Sequence, residues 1–326
     1  MTERAVDYAK SSALAAFVGL LCGVASAIFL HLLERATHFR ETHEGLVYLL
    51  PAGGFVIGLF YERAGSTIRG GTNVILDSTY DEKLEIPLRM APLVLIGTVL
   101  THLFGGSGGR EGTAVQMGGS IASAVSQRLS LNAAARRTLL ICGMAGGFGA
   151  VFGTPVGGAI FAVEVVCIGR PEIAALVPAL IAAFVGDIVT RRLGVVHTPY
   201  PSVLAPAFSA TLIPKLIVMG LAMAAIGVVF HALTKALKRF LEKYLPSLPL
   251  RMFAAGSVVV LLWKLTGTSA YLGLGVPGIV AAFSDPNLVY TAFLWKTVFT
   301  SVTLSGGFLG GEVTPLFFIG ATLGNV

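Results

Sequence analysis

The sequence predicts an all-α membrane protein made of two related, pseudo-symmetric halves with tilted and broken helices. Three observations support this prediction: an apolar composition, a series of long apolar stretches, and a glycine-rich motif that occurs twice. Only 12% of the 326 residues are charged, and the mean hydropathy is +0.81. A soluble chain of this length needs far more charge to cover its surface, so the soluble classes are excluded.

Most of the apolar stretches approach the length of about 20 residues that crosses a bilayer as a helix. Their lengths are unequal, and a further stretch at 138–166 is interrupted by glycine and proline. We therefore expect tilted and discontinuous helices rather than a simple bundle. The unbroken stretches are 13–33, 45–60, 87–104, 173–189, 212–233, 252–265 and 290–304.

The positive charge of the chain is typical of a protein embedded in a lipid bilayer. The net charge of +6 lies mainly in short loops, as expected for loops that face anionic headgroups. Lysines near the ends of apolar runs, including Lys296, are expected to extend to the membrane interface. No long basic stripe alternates with aromatic residues, so we predict no nucleic-acid partner. We expect an integral protein of a bacterial plasma membrane.

The two halves of the chain can be overlaid at an offset of about 200 residues. His31 then meets His231, and Thr98 meets Thr300. We predict an N-terminal cytoplasmic segment at 1–12, a first membrane repeat at 13–200 and a second repeat at 201–326 that is truncated at its C-terminus. An odd number of crossings per half would require inverted topology, which the matches alone do not decide.

The glycine-rich motif places a glutamate in a break between apolar stretches in each half. It reads FGGSGGREGT at 104–113 and GGFLGGEVTP at 306–315, with Glu111 and Glu312 as the acids. A carboxylate at membrane depth is costly, so its presence indicates function. Broken helices at matching positions of two repeats are typical of a transport site.

Three glycine-rich helix starts, at 70–73, 108–113 and 310–315, predict an anion site. Helix starts expose unpaired N–H groups and the positive end of the helix dipole, and glycine lets a ligand approach them. Several starts that point inward would bind an anion without a formal positive charge. Thr72 could add a hydroxyl donor and Asn73 an amide donor, although both types are also ordinary helix caps.

The carboxylate of Glu111 lies inside one of these anion-attracting starts. When ionised, it can occupy the position of the anion, and when protonated it can leave. Burial disfavours the charge of this carboxylate, whereas the helix N–H groups favour it, so we expect it to exist in both charged and neutral forms. Such a group couples an anion to a proton. The alternative is a static ion pair with Arg110.

These motifs resemble the CLC chloride channel and transporter family, whose signature helix starts read GSGIP, GREGP and GxFxP. The matching stretches are GTNVI at 71–75, GREGT at 109–113 and GEVTP at 311–315. The resemblance covers nearly the whole chain and implies an inverted repeat and a homodimer with one pore per subunit. It implies Glu111 as the gating residue and anion-binding positions at Gly71, Thr72, Asn73, Gly109, Arg110, Gly112, Thr113, Gly311, Glu312, Val313 and Thr314.

Departures from the family pattern resemble its fluoride-exporting branch. Thr72 stands at the usual serine, Asn73 follows it, and Thr113 replaces a proline. Glu312 and Thr314 lie in the third helix start. Fluoride is strongly hydrated, and hydroxyl, amide and protonated carboxyl groups can replace its lost water. The resemblance thus implies a fluoride-selective anion/proton antiporter that exports fluoride.

Two alternatives stay open at this point. The first is a chloride/proton exchanger or a chloride channel of the same family. The second is a membrane-embedded enzyme that uses Glu111 or Glu312 as an acid or base. The sequence carries no metal-ligand cluster, nucleophile motif or nucleotide loop, so we predict no enzyme, no cofactor and no metal.

Val165 stands where many members of the family carry an inner glutamate that transfers protons. The neighbouring Glu164 is expected to be a buried structural acid.

Overall fold

The computed structural model describes residues 2–65, 70–81, 84–166, 169–202 and 209–325, with side chains from residue 9 onward. Regular structure in these ranges is helical, apart from isolated bridges between single residues. Short 3-10 helices cover Glu44–Leu49 and Ile173–Ala175. The α-helices are α1 Thr2–Thr42, α2 Leu50–Ala64, α3 Thr72–Asp77, α4 Met90–Leu103, α5 Glu111–Arg128, α6 Ala133–Phe152, α7 Pro155–Val165, α8 Leu176–Arg192, α9 Leu212–Tyr244, α10 Leu248–Thr266, α11 Val276–Ala281, α12 Ala292–Ser305 and α13 Val313–Asn325.

Five helical stretches in the described ranges are long and apolar enough to cross a membrane. Shorter apolar helices, α4, α7 and α13, accompany them. The all-α membrane prediction, with its discontinuous helices, is therefore confirmed. The five stretches are Ala9–Thr42, Glu44–Ala64, Ile173–Arg192, Leu212–Tyr244 and Leu248–Thr266.

The apolar stretch at 138–166 forms two helices because of residues at its middle. Gly153 ends α6 with a left-handed backbone (φ +71°), which glycine adopts without steric cost. Pro155 then occupies the first turn of α7, where its missing N–H group would be unpaired in any case.

The duplication seen in the sequence recurs in the helices. Helix α4 covers 90–103 and α12 covers 292–305, while α5 begins at Glu111 and α13 at Val313, so corresponding bounds lie 202 positions apart. The backbone of the two glycine breaks also matches, with φ of +89° at Gly105 and +99° at Gly307. A pseudo-symmetric repeat of broken helices is therefore confirmed.

The chain forms two compact units that interleave along the sequence. Unit 1 contains Met1–Ala36, Arg63–Val99 and Arg110–His197. Unit 2 contains Thr37–Glu62, Leu100–Gly109 and Thr198–Val326. These units are defined by contacts, whereas the predicted repeats at 13–200 and 201–326 are defined by the sequence duplication. The boundaries of the repeats stay a prediction.

Glycines in unit 1 let α5 lie directly against α6. A Cβ atom on Gly118 would overlap the carbonyl of Gly143, and one on Gly143 would overlap the carbonyl of Gly118. Gly147 of α6 lies in the same way against the carbonyl of Ala114. Close approach of this kind is typical of helix pairs in membranes. It fixes the position of α5, which carries the candidate gating glutamate at its first residue.

Unit 2 packs around α12 and α13. Ile226 and Phe230 of α9 form an apolar cluster with Ile319 of α13. Phe308, from the second glycine break, is 4% exposed, and its ring would be the first group met by a Cβ atom on Gly54. The break is therefore held between neighbouring helices rather than left as an open loop.

Candidate functional site

The first helix start lies at α3 in unit 1. Gly71 precedes the helix with a φ of +59°, and Thr72 is its first residue. The Thr72 hydroxyl accepts a hydrogen bond from Nε2 of Gln116 at 3.4 Å, and Gln116 is 7% exposed. Asn73 is exposed, and its backbone N–H donates to the carbonyl of Gly70 at 3.2 Å. The hydrogen bond between Thr72 and Gln116 joins this helix start to α5.

The second helix start, at α5, brings Glu111 back onto the helix end that it opens. Glu111 is 3% exposed, and its Oε2 accepts a hydrogen bond from the backbone N–H of Arg110 at 2.8 Å. The Arg110 guanidinium lies 5.6 Å from the ring centroid of Phe152. A carboxylate of this chain therefore takes up an N–H group at the positive end of an 18-residue helix.

Buried hydroxyl groups follow Glu111 along α5. Oγ1 of Thr113 lies 2.6 Å from Oγ1 of Thr98 on α4, and both residues are at most 1% exposed. Gly112, between Glu111 and Thr113, is partly buried. Unit 1 thus places a carboxylate and a threonine hydroxyl two residues apart at a helix start, and α4 brings a second threonine hydroxyl against the first.

The third helix start, at α13, belongs to unit 2. Glu312 is exposed in the described chain, Val313 is partly buried and Thr314 is 2% exposed. Gly311, just before them, exchanges two backbone hydrogen bonds with Gly109, at 2.7 and 3.0 Å. These glycines occupy equivalent positions of the two motifs, so the two breaks pair with each other through their own backbones.

A network of hydroxyl groups supports the breaks in unit 2. Ser107 donates its backbone N–H to Oγ1 of Thr303 at 3.1 Å, and its hydroxyl lies 2.9 Å from that of Thr300. Nε2 of His102 lies 3.1 Å from the carbonyl oxygen of Gly108. All four side chains are fully buried. From the sequence, Thr300 was recognised only by its match to Thr98 in the other repeat, and this structural role was not predicted.

The predicted site residues fall in both units. Unit 1 holds Gly71, Thr72, Asn73, Arg110, Glu111, Gly112 and Thr113, and unit 2 holds Gly109, Gly311, Glu312, Val313 and Thr314. Within unit 1 the first two helix starts are joined by Gln116, which sequence analysis missed. The available signal was an amide side chain within a stretch of small and apolar residues, since a polar group there needs a partner.

Two expectations about charged residues were wrong. Lys296 does not extend to an interface, because it is completely buried and donates from Nζ to the carbonyls of Tyr271 at 3.1 Å and Gly273 at 2.8 Å. Glu164, expected to be buried, is exposed in the described chain because it lies on the outer face of α7.

No group of His, Cys, Asp and Glu in the described ranges could hold a metal ion.

A family model and two curated proteins that are similar to this chain are all named as chloride channels or anion transporters. The family model described as voltage gated chloride channel matches residues 53–326. A "Chloride/fluoride channel protein" of Pseudomonas syringae pv. tomato is 45% identical over 323 residues, which cover 97% of this chain and 71% of that protein. An "H(+)/Cl(-) exchange transporter ClcA" of Cronobacter sakazakii is 25% identical, over 96% of this chain and 71% of its own length.

The fold is also similar to solved structures. The crystal structure of a CLC-type fluoride/proton antiporter superposes with a TM-score of 0.94 at 36% identity, over 98% of this chain and 81% of that one. A slow cyanobacterial Cl-/H+ antiporter, at 18% identity and a TM-score of 0.80, shares the fold. These relatives are named as transporters and channels rather than as enzymes. On the family match and the 45% identical relative, this chain belongs to the voltage gated chloride channel, or CLC, family.

Proposed function

We propose that this protein is a fluoride/proton antiporter that exports fluoride across a bacterial plasma membrane. Support comes from the relative named for chloride and fluoride and from the likeness to a fluoride/proton antiporter structure. The buried Glu111 carboxylate at the start of α5 is the observation that carries the proposal.

In the proposed mechanism, Glu111 competes with the anion for the helix start. Backbone N–H groups at a helix N-terminus favour negative charge, and the ionised carboxylate supplies that charge while no anion is bound. Protonation removes the charge and frees the N–H groups for fluoride. The same side chain therefore has two states. When it is protonated it admits an anion, and when it is ionised it excludes the anion.

Selectivity for fluoride is assigned to hydroxyl and amide donors. The Thr72 hydroxyl accepts from Gln116, so its own proton is available to an anion. Fluoride, a small and strongly hydrated ion, is stabilised more by such donors than chloride is. Glu312 and Thr314 at the third helix start are also proposed to donate hydrogen bonds to fluoride. Glu312 is protonated when it donates.

The proposed exchange is driven by the membrane potential. Anion export and proton import move charge in the same electrical direction, so one-for-one exchange moves two charges per cycle. At about 2.3 kcal/mol per charge per 100 mV, this supplies about 4.6 kcal/mol per 100 mV. That free energy supports a fluoride gradient of about 10³, which fits detoxification.

The test is transport by the purified protein in liposomes, followed with fluoride and proton electrodes. Glu111→Gln should abolish proton movement, because the amide cannot carry the proton. Glu34→Gln, which changes an exposed acid on α1, serves as the control. Proton movement that is undiminished in Glu111→Gln would refute the proposed role of Glu111.

Chloride/proton exchange is the second candidate, favoured by the relatives named as H(+)/Cl(-) exchange transporters. A comparison of fluoride and chloride flux through the wild-type protein separates the two. Thr72→Ser should shift the flux ratio toward chloride. An identical ratio in the variant would remove Thr72 from the selectivity argument.

We also propose a homodimer that forms through the outer face of α8. Apolar side chains on this helix are exposed at helical spacing, at Val177 (57%), Phe184 (45%) and Ile188 (55%). Val156 and Ile160 of α7, in the same unit, are 50% and 45% exposed. Exposed apolar side chains of this kind suit either lipid or a second copy of the chain, and the family resemblance favours the second copy.

A further inference from the structure

A residue from another loop of unit 2, Gly273, holds the first glycine break on both sides of Ser107. The backbone N–H of Gly273 donates to the carbonyl of Gly106 at 3.1 Å, and its carbonyl accepts from the N–H of Gly108 at 3.3 Å. Gly273 has a left-handed backbone with a φ of +55°, which glycine adopts without steric cost. The position of the break therefore depends on the groups that fix Gly273.

Lys296 of α12 is the side chain that fixes Gly273. It is completely buried, and its Nζ donates to the carbonyl of Gly273 at 2.8 Å and to that of Tyr271 at 3.1 Å. Nζ also lies 5.5 Å from the ring centroid of Phe318. The carbonyl oxygen of Gly273 accepts from both Lys296 and Gly108, so a single atom connects the lysine to the break.

Lys296 lies on the same face of α12 as the two threonines that contact the break. Thr300 and Thr303 follow it at positions i+4 and i+7, which is the spacing of one helix face. The hydroxyl of Thr300 lies against that of Ser107, and the hydroxyl of Thr303 accepts from the Ser107 backbone N–H. One face of α12 is therefore attached to the break at three points, two of them directly and one through Gly273.

The first repeat carries an apolar residue at the position that matches Lys296. At the offset of 202 residues, Thr300 corresponds to Thr98, while Lys296 corresponds to Val94. Val94 is 1% exposed, so an apolar side chain satisfies the packing of the helix at this position. A buried amine is costly unless it is hydrogen-bonded, and at membrane depth its presence indicates function. The difference between the repeats therefore points to a task that Lys296 performs at the first break.

We propose that Lys296 is a positioning residue for the coupled exchange of fluoride and protons. It acts through Gly273 to fix Gly108, and the chain reaches Glu111 three residues later. This inference rests on the proposed function, in which the carboxylate and the anion compete for the same N–H groups. Such competition requires those groups to stay in one place, because a functional site tolerates only small displacements. A loosened break would let the anion bind without displacing the carboxylate.

The first test measures amide hydrogen exchange of the whole protein in detergent by mass spectrometry. Lys296→Met keeps a long side chain but cannot donate to Gly273, so the break at 104–110 should exchange about 3- to 10-fold faster. Ser301→Ala is the matched control, because Ser301 is equally buried on α12 and its hydroxyl accepts from Thr234. Unchanged exchange of the break in Lys296→Met would overturn the proposal.

The second test measures the number of protons moved per fluoride in liposomes. A merely destabilised protein transports less but keeps this ratio, because the ratio is a property of each transport cycle. Lys296→Met should retain fluoride flux with a lower ratio, whereas Ser301→Ala should keep the wild-type ratio. An unchanged ratio in Lys296→Met would overturn the proposal and leave Lys296 with a structural role only.

A second variant keeps the proposal testable if Lys296→Met does not fold. Thr303→Val removes the hydroxyl that accepts from Ser107 and leaves the lysine in place. Because it cuts another attachment between α12 and the same break, it should also lower the ratio of protons to fluoride. A wild-type ratio in Thr303→Val would then overturn the proposal.

The outcomes also separate this inference from the proposed function. If the wild-type protein moves no protons with fluoride, the antiporter proposal fails, and hydrogen exchange still decides whether Lys296 fixes the break. If the wild-type protein couples the two ions and Lys296→Met alters neither exchange nor ratio, the positioning role fails alone.

Discussion

The side-chain amide of Gln116 donates a hydrogen bond to the hydroxyl of Thr72 at 3.4 Å, which joins α5 to the start of α3. Gln116 lies on the same helix as Glu111, little more than one turn further along. Through this contact, the helix that carries the candidate proton group also orients a candidate donor for the anion. Movement of α5 would therefore act on both.

Gln116→Met should reduce the selectivity of transport for fluoride. The thioether cannot donate to Thr72, so the hydroxyl loses its fixed orientation, and we expect the fluoride-to-chloride flux ratio to fall by about 3- to 10-fold. The measurement is flux from liposomes loaded with each anion. Gln127→Met, on the exposed end of α5, is the matched control. An unchanged ratio in Gln116→Met would show that the contact does not affect selectivity.

Gly118→Ala should destabilise the protein, because the new methyl group would overlap the carbonyl of Gly143. Overpacking of this kind costs about 1–3 kcal/mol, and here the obstacle is rigid backbone. Gly220→Ala on α9 is the control, since a Cβ atom there meets nothing within 4 Å and the helix should gain up to about 1 kcal/mol. Thermal unfolding in detergent compares the two, and equal midpoints would contradict the packing argument.

His197 should make stability depend on pH. Burial and the charges of Arg191 and Arg110 hold its pKa below the ordinary value of 6.5, while Asp187, 3.5 Å from Nε2, opposes them. His197 follows α8 and lies outside the membrane-spanning stretches. Because the unfolded state takes up the proton first, the stabilisation is complete above pH 6.5 and is lost as the pH falls below it.

The measurement is the unfolding midpoint of wild type and His197→Gln from about pH 7.5 to about pH 5.5. The glutamine variant should lose less stability over this range, since it has no proton to take up. Parallel curves for the two proteins would exclude His197 as the source of the dependence. Groups common to both proteins cancel in this comparison.

Val177→Trp should convert the proposed dimer into monomers. The indole ring is too large for a closely packed interface between α8 helices, whereas it is readily accommodated by lipid. Leu216→Trp, on the exposed face of α9 where Leu216 is 56% exposed, is the control. Light scattering of the detergent-solubilised proteins gives the mass. A monomeric wild-type protein, or a variant that stays dimeric, would contradict the assignment of α8.

Much of the fold could be predicted from the sequence because hydropathy and glycine breaks act locally. The apolar runs predicted helices, and the repeated motif predicted matching helix starts, which α5 and α13 confirm at Glu111 and Val313. The CLC family assignment was also confirmed. Glu111 is buried at its helix start, while its role in gating stays a prediction.

Side-chain partners from distant parts of the chain could not be predicted in this way. Lys296 looked like an interfacial lysine because its helix end is apolar, but the carbonyls that receive its Nζ come from a segment more than 20 residues earlier. Gln116 was missed for the same reason, since its partner Thr72 lies 44 residues away. Such contacts depend on tertiary packing and leave no periodic pattern in the sequence.

The reciprocal pairing of Gly109 with Gly311 has a consequence for how this chain can change. Surface loops usually accept inserted or deleted residues, because their ends can adjust independently. Here a one-residue deletion in either break would shift its register relative to the other break and disrupt the paired hydrogen bonds. Substitutions of side chains in the two segments are therefore tolerated more readily than changes in the length of either one.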